Sequence, residues 1–122
     1  MRAFQLKSQT GIEALSKVEI AEPKPARGQV AVRVSACSLN FRDLSIATGR
    51  YRQPTRSSVI PLSDGAGEVI AVGPDVTRVK VGDRVAGCFF QNWVGGEPGA
   101  DAQASALGGG VEIAMACHYR LA

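Results

Sequence analysis

Three runs of alternating, β-branched residues decide what this chain can fold into: QVAVRVSACSL from Gln29, GAGEVIAVG from Gly65, and VTRVKVGDRVAGCFF from Val76. Alternation with a period of two, carried by valine and isoleucine, places successive side chains on opposite faces of a strand and is a poor template for a helix. Gly73-Pro74-Asp75 and Gly82-Asp83 punctuate the later runs with turn chemistry, so the spacing predicts strands on both sides of each turn. At the N-terminus, MRAFQL and LSKVEIAEP alternate around the polar Gln9-Thr10-Gly11, which predicts a hairpin closed before Pro23, Pro25 and Gly28.

One short helix interrupts the β pattern. In NFRDLSIAT, from Asn40 to Thr48, apolar Phe41, Leu44 and Ala47 recur at helical spacing, and Gly49 follows as a C-terminal cap. Tyr51 to Ser58 is polar and basic and is expected to be a surface loop, while QNWVGGEPGADAQA, from Gln91 to Ala104, reads as an irregular connection. The 122 residues, 45% hydrophobic and 20% charged, suit one folding unit with a real core. No internal repeat is present.

Charge and cysteine usage narrow the function classes. A net charge of +3 is mild, and aromatic residues are not interleaved with the arginines, so nucleic acid has no stacking platform. Arg42, Arg50, Arg52 and Arg56, with Arg27 further back, form the one basic cluster; it suits a phosphate or acidic partner, or simply a solvated loop. Cys37, Cys88 and Cys117 have no C-x-x-C spacing and are odd in number, which implies a reducing compartment. No apolar run is long enough to cross a bilayer and the N-terminus lacks a leader pattern, so the expected location is cytoplasmic, without membrane.

The ordered set MRAF, EPKPARGQVAVRVSACSLNFRD and IPLSDGAGEVIAVGPDVTRVKVGDRVAG resembles the N-terminal, GroES-like domain of the medium-chain dehydrogenase/reductase superfamily. The resemblance implies a mainly β fold: a partly open GroES-like barrel over residues 1 to 104, with the short internal helix. In zinc-dependent members a cysteine precedes the aspartate of the first segment by three residues, and a His-Glu pair precedes the Gly-x-Gly of the second; here those positions hold Asn40, and Ser63 with Asp64. Amide and hydroxyl oxygens are poor zinc ligands, so no zinc is expected.

SLNFRD is similar instead to the zinc-independent quinone reductases and NADPH-using alcohol dehydrogenases, whose residues matching Asn40 and Asp43 lie beside the nicotinamide. The resemblance therefore implies NADPH as cofactor and Asn40 and Asp43 as catalytic-site residues. A structural alternative stands beside it, in which Asn40 caps the helix and Asp43 stabilises its first turn. Gly65-Ala66-Gly67 opens a strand rather than a helix and is no phosphate loop, so this chain offers no dinucleotide fold of its own and is expected to be inactive alone.

A seam lies near Ser105. Beyond it, ALGGGVEIAMACHYRLA, residues 106 to 122, resembles the enoyl-CoA hydratase/isomerase (crotonase) family, a glycine turn followed by a helix. By that resemblance Gly109 offers an oxyanion-hole N–H and Glu112 matches a catalytic carboxylate. The alternative is a C-terminal helix packed on the barrel, with Glu112 near its N-terminus and His118 and Arg120 near its end, the order that suits a helix dipole. An apolar tail and open barrel edges also favour a homo-oligomer. Three functions stay open on this reading: the substrate domain of an NADPH-dependent oxidoreductase, a structural or self-associating module of recombined origin, and a remnant acyl-CoA site.

Overall fold

The computed structural model describes residues 1–51, 58–90, 95–97 and 99–100. Its elements run in the order β1 (Arg2–Leu6), a single 3-10 turn (Ile12–Ala14), β2 (Leu15–Glu19), β3 (Val30–Cys37), α1 (Phe41–Ala47), β4 (Gly65–Val72) and β5 (Arg84–Ala86). The described residues are mainly β, as the alternating runs require, with antiparallel pairing throughout and one α-helix. They form two separate sheets, β1-β2 and β3-β4-β5, and the barrel does not close. The predicted C-terminal helix lies outside the described residues.

The N-terminal hairpin forms as expected, with Arg2 opposite Glu19 and Leu6 opposite Leu15. Gly11 takes a backbone φ of 142°, which glycine tolerates and side-chain-bearing residues do not. Leu6 and Val59 exchange both backbone hydrogen bonds, at 2.8 and 3.1 Å, and so tie the hairpin to the chain just before β4.

In the second sheet the alternation sorts side chains by face. Val32 opposite Val69, and Val85 opposite Gly67, point inward; Arg33, Glu68 and Arg84 make a charged row on the other face, with Arg33 donating to Glu68 at 3.4 Å. Ser35 is an extra residue between the Val34 and Ala36 rungs. Beyond this bulge Ala36, Ala66 and Ala86 line up across three strands, and their small size leaves a shallow cleft of about 400 Å³ over the outer face. Gly67 has no substitute here, because a Cβ on it would collide with the Arg33 carbonyl oxygen of the neighbouring strand.

The apolar side chains segregate into two clusters. Val30, Val32, Val69, Val79 and Val85 form one, with Leu62 and Val76 packed against it; Leu6, Ile46, Ala47 and Val59 form the other, with Ala14 and Tyr51 at its margin.

One expectation needs correction. The alternation of VTRVKV predicts a strand, yet residues 76–81 form none. Val76 and Val79, three apart, both reach the core, whereas Val81 is exposed, so the burial does not follow the period of two. The segment's hydrogen bonds are made at its ends instead: Gly73 N–H donates to Gln29 O at 2.7 Å and Gly82 N–H to Val69 O at 2.8 Å. The second turn is tightened by Asp83, whose carboxylate accepts from Lys80 N–H at 2.9 Å and lies 3.3 Å from Lys80 Nζ.

Val69 is fully buried and Ile70, the next residue, is 47% exposed, so the two valine-like neighbours carry unequal weight. Val69→Ala should lower stability by roughly 2–3 kcal/mol and Ile70→Ala by less than about 1, measured by denaturant unfolding. The Lys80 backbone hydrogen bond, with Lys80's side chain, holds the Asp83 carboxyl below its usual range against a smaller desolvation effect. A depressed folded-state value stabilises the fold above the unfolded carboxylate pKa and loses that contribution as pH falls through the folded value. Asp83→Asn should therefore flatten the acid limb of a thermal-midpoint series taken between roughly pH 2 and 6.

Candidate functional site

The end of β3, the start of α1 and the residues leading into β4 converge on one polar cluster. β3 and β4 are locked in register down to the Cys37–Gly65 rung, so Ser38 and Asp64 emerge side by side, one residue beyond it. Asn40 then adopts an extended backbone (φ −124°, ψ 156°) as the N-cap of α1, the conformation an N-cap requires.

Three side chains close a triangle there. Asn40 Nδ2 donates to Asp64 Oδ2 at 2.6 Å and to Ser38 Oγ at 3.2 Å, and the Ser38 hydroxyl donates to the same Asp64 oxygen at 3.1 Å. Asp43, at the third helical position, turns back so that its Oδ2 accepts from Asn40 N–H at 2.8 Å, the acidic half of a capping box. Its other oxygen, Oδ1, accepts from Leu62 N–H at 3.2 Å. Leu62 sits in the left-handed region at φ 80°, a conformation that costs a side-chain-bearing residue of order 1 kcal/mol, and the Asp43 contact helps to hold it.

Asn40 and Asp43, the two residues expected at an active site, are thus brought together, and both also serve the helix cap that the alternative reading gave them. Ser63 is buried, and partial desolvation, followed by the Asp64 charge, pushes the thiol of the exposed Cys37 up. Leu39 and Phe41, which flank Asn40 in sequence, are 86% and 83% exposed. Gly109, Glu112 and His118 lie outside the described residues, as do Arg52 and Arg56 of the basic cluster.

Two features were missed in the sequence. Ser38 and Asp64 carry no local signal as partners of Asn40, because Asp64 is 24 residues away and meets it through strand register alone. Arg42, read only as part of a basic cluster, is held between two rings: its guanidinium lies 5.0 Å from the Tyr51 centroid and 4.9 Å from that of Phe89, and its Nε donates to Tyr51 Oη at 3.0 Å. Phe90 meets Phe89 edge-on at 4.7 Å.

The described residues thus form a small antiparallel β unit with a capped helix and a polar cluster at the strand ends. The chain belongs to the alcohol dehydrogenase GroES-like domain family, which matches residues 26–121 and so continues across Ser105. This is the N-terminal domain of medium-chain dehydrogenase/reductases.

Among curated proteins, it is 43% identical over 101 residues to a zinc-type alcohol dehydrogenase-like protein of Schizosaccharomyces pombe, covering 82% of this chain and 29% of the relative. It is 40% identical to a chloroplastic quinone-oxidoreductase of Triphysaria versicolor, over 70% of this chain and 27% of the relative. Among solved structures, the Escherichia coli quinone oxidoreductase complexed with NADPH superposes with a TM-score of 0.64 at 31% identity, over 70% of this chain and 26% of that one. The chain spans less than a third of the length of these relatives.

Because Asp43 serves both Asn40 and Leu62, its removal should cost more than a surface carboxylate. Asp43→Ala is expected to lower stability by about 1–3 kcal/mol in urea unfolding, against about half that for Asp43→Asn, which keeps one acceptor oxygen.

Proposed function

We propose that this chain supplies the substrate side of an NADPH-dependent, zinc-independent oxidoreductase acting on a quinone or an alcohol/enone pair, and is inactive without a dinucleotide-binding domain. The observation that carries the reading is the Asn40–Asp43 pair, fixed at the strand ends beside two exposed apolar side chains, Leu39 and Phe41. A flat ring set against this patch meets apolar surface and hydrogen-bonding groups together, the combination by which a pocket orients a ligand. When bound, NADPH supplies the hydride and its electron pair. The chain's part is positioning: Asp43 holds the Asn40 backbone, and the Asn40 amide is held in turn by Ser38 and Asp64.

The donor set does not fit a catalytic zinc. Zinc wants thiolate, imidazole or carboxylate, and the cluster offers the Asn40 amide, the buried Ser63 hydroxyl and two carboxylates, Asp64 and Asp43, each already engaged by two donors. Among the described residues no group of three or more His, Cys, Asp or Glu side chains is placed to hold a metal ion. Residues 1–104 carry this role in our reading, with 105–122 as a separate terminal segment.

The test is a graft. Residues 1–104 replace the corresponding N-terminal part of the Escherichia coli quinone oxidoreductase, and NADPH-dependent quinone reduction is measured on the folded chimera. Activity is expected, with a loss of roughly 10- to 100-fold on Asn40→Ala, the scale of a misplaced positioning group. A folded chimera that binds NADPH but reduces no quinone, alcohol or enone acceptor would overturn the assignment.

A further inference from the structure

We propose that Asp64 is the positioning residue that fixes which way the Asn40 side-chain amide faces. The inference deepens the reading above, on which its functional meaning rests, but its structural content stands by itself. An ionised carboxylate has no proton to give. Of the two ways an asparagine amide can be turned, only the one that directs Nδ2 at Asp64 makes a hydrogen bond; the other sets Oδ1 against Oδ2, acceptor against acceptor. The 2.6 Å contact to Oδ2 is therefore an orienting one, and a charged acceptor makes it stronger than a neutral pair.

Ser38 completes the constraint. Its oxygen accepts from Asn40 Nδ2, so its single proton is directed to Asp64 Oδ2, and the donors within the triangle are then assigned. Both anchors stand on a rigid frame, since Ser38 follows and Asp64 precedes the last paired residues of β3 and β4. Asn40 itself is exposed at the helix cap, where its own support is the capping box with Asp43. With the amide nitrogen drawn toward the strand ends, its carbonyl side is turned to the Asp43 backbone N–H of the capping box.

The experiment follows the Asn40 side-chain NH₂ pair by nitrogen-15 NMR in the full 122-residue chain, the resonances being assigned by their loss in Asn40→Ala. In the wild type the two protons should exchange slowly with solvent. Asp64→Ala should speed exchange by about 10-fold or more, whereas Asp64→Asn, which keeps an acceptor oxygen of the same shape, should restore much of the protection. A purely structural role would not follow this order, because both variants remove the charge. Ser38→Ala should have a smaller effect than Asp64→Ala. Unchanged exchange in Asp64→Ala, with the Gly65 and Asn40 backbone amides still at their wild-type positions, overturns the proposal. If Asp64→Ala does not fold, Asp64→Ser, whose hydroxyl is too short to take the carboxylate's place, decides it with Ser38→Ala: protection lost in Asp64→Ser but largely kept in Ser38→Ala supports the proposal, and the reverse order, or fast exchange already in the wild type, refutes it. An inactive graft rejects the oxidoreductase reading and does not alter these signals.

Discussion

The rest of the structure depends on the pairing of β3 with β4. It is the longest ladder among the described residues, and it does two tasks at its two ends. In the middle and at one end it brings Val32 against Val69 and builds the larger apolar cluster. At the other it stops at the Cys37–Gly65 rung and releases two chain segments side by side, one leading to the helix cap and one arriving from Leu62. The pairing tolerates nothing larger than glycine at position 67, where the strands approach closely, so the register that forms the core also fixes the place of the polar cluster.

Asp43 joins what the ladder does not. Helix α1 contributes Ile46 and Ala47 to the smaller cluster, while Leu62 packs against the larger one. The two Asp43 oxygens bond to the cap of the first and to the backbone of the second, so one half-buried carboxylate couples the two cores across a left-handed residue. Sharing of this kind makes its contacts non-additive: loosening Leu62 frees the carboxylate that holds Asn40.

Much of this was legible in the residues, and what was not has a common cause. The hairpin, β3, β4 and the capped helix with Gly49 behind it each rest on a pattern within about ten residues, where alternation, capping and turn chemistry act locally. The VTRVKV segment defeated the same logic because Val76 and Val79 are buried by tertiary packing around a turn, which period counting does not register. The site was half legible. Asn40 and Asp43 are three apart and announce a capping box, but Asp64 reaches Asn40 through strand register, and Tyr51 and Phe89 are brought to Arg42 by separate segments.

Capping and function are not competitors at Asn40 and Asp43. A cap explains an extended Asn40 backbone and a carboxylate folded back on it, and it needs no anchor for the Asn40 amide beyond the helix. Nor does it account for Leu39 and Phe41, which stand almost fully in water on either side of that residue. Burying side chains of this size is worth roughly 1.5–3 kcal/mol each, so a ligand or surface that covers both gains on that scale. The cluster thus joins an amide anchored more firmly than a cap demands to apolar neighbours left uncovered, and a site whose occupant comes from outside the described residues accounts for both.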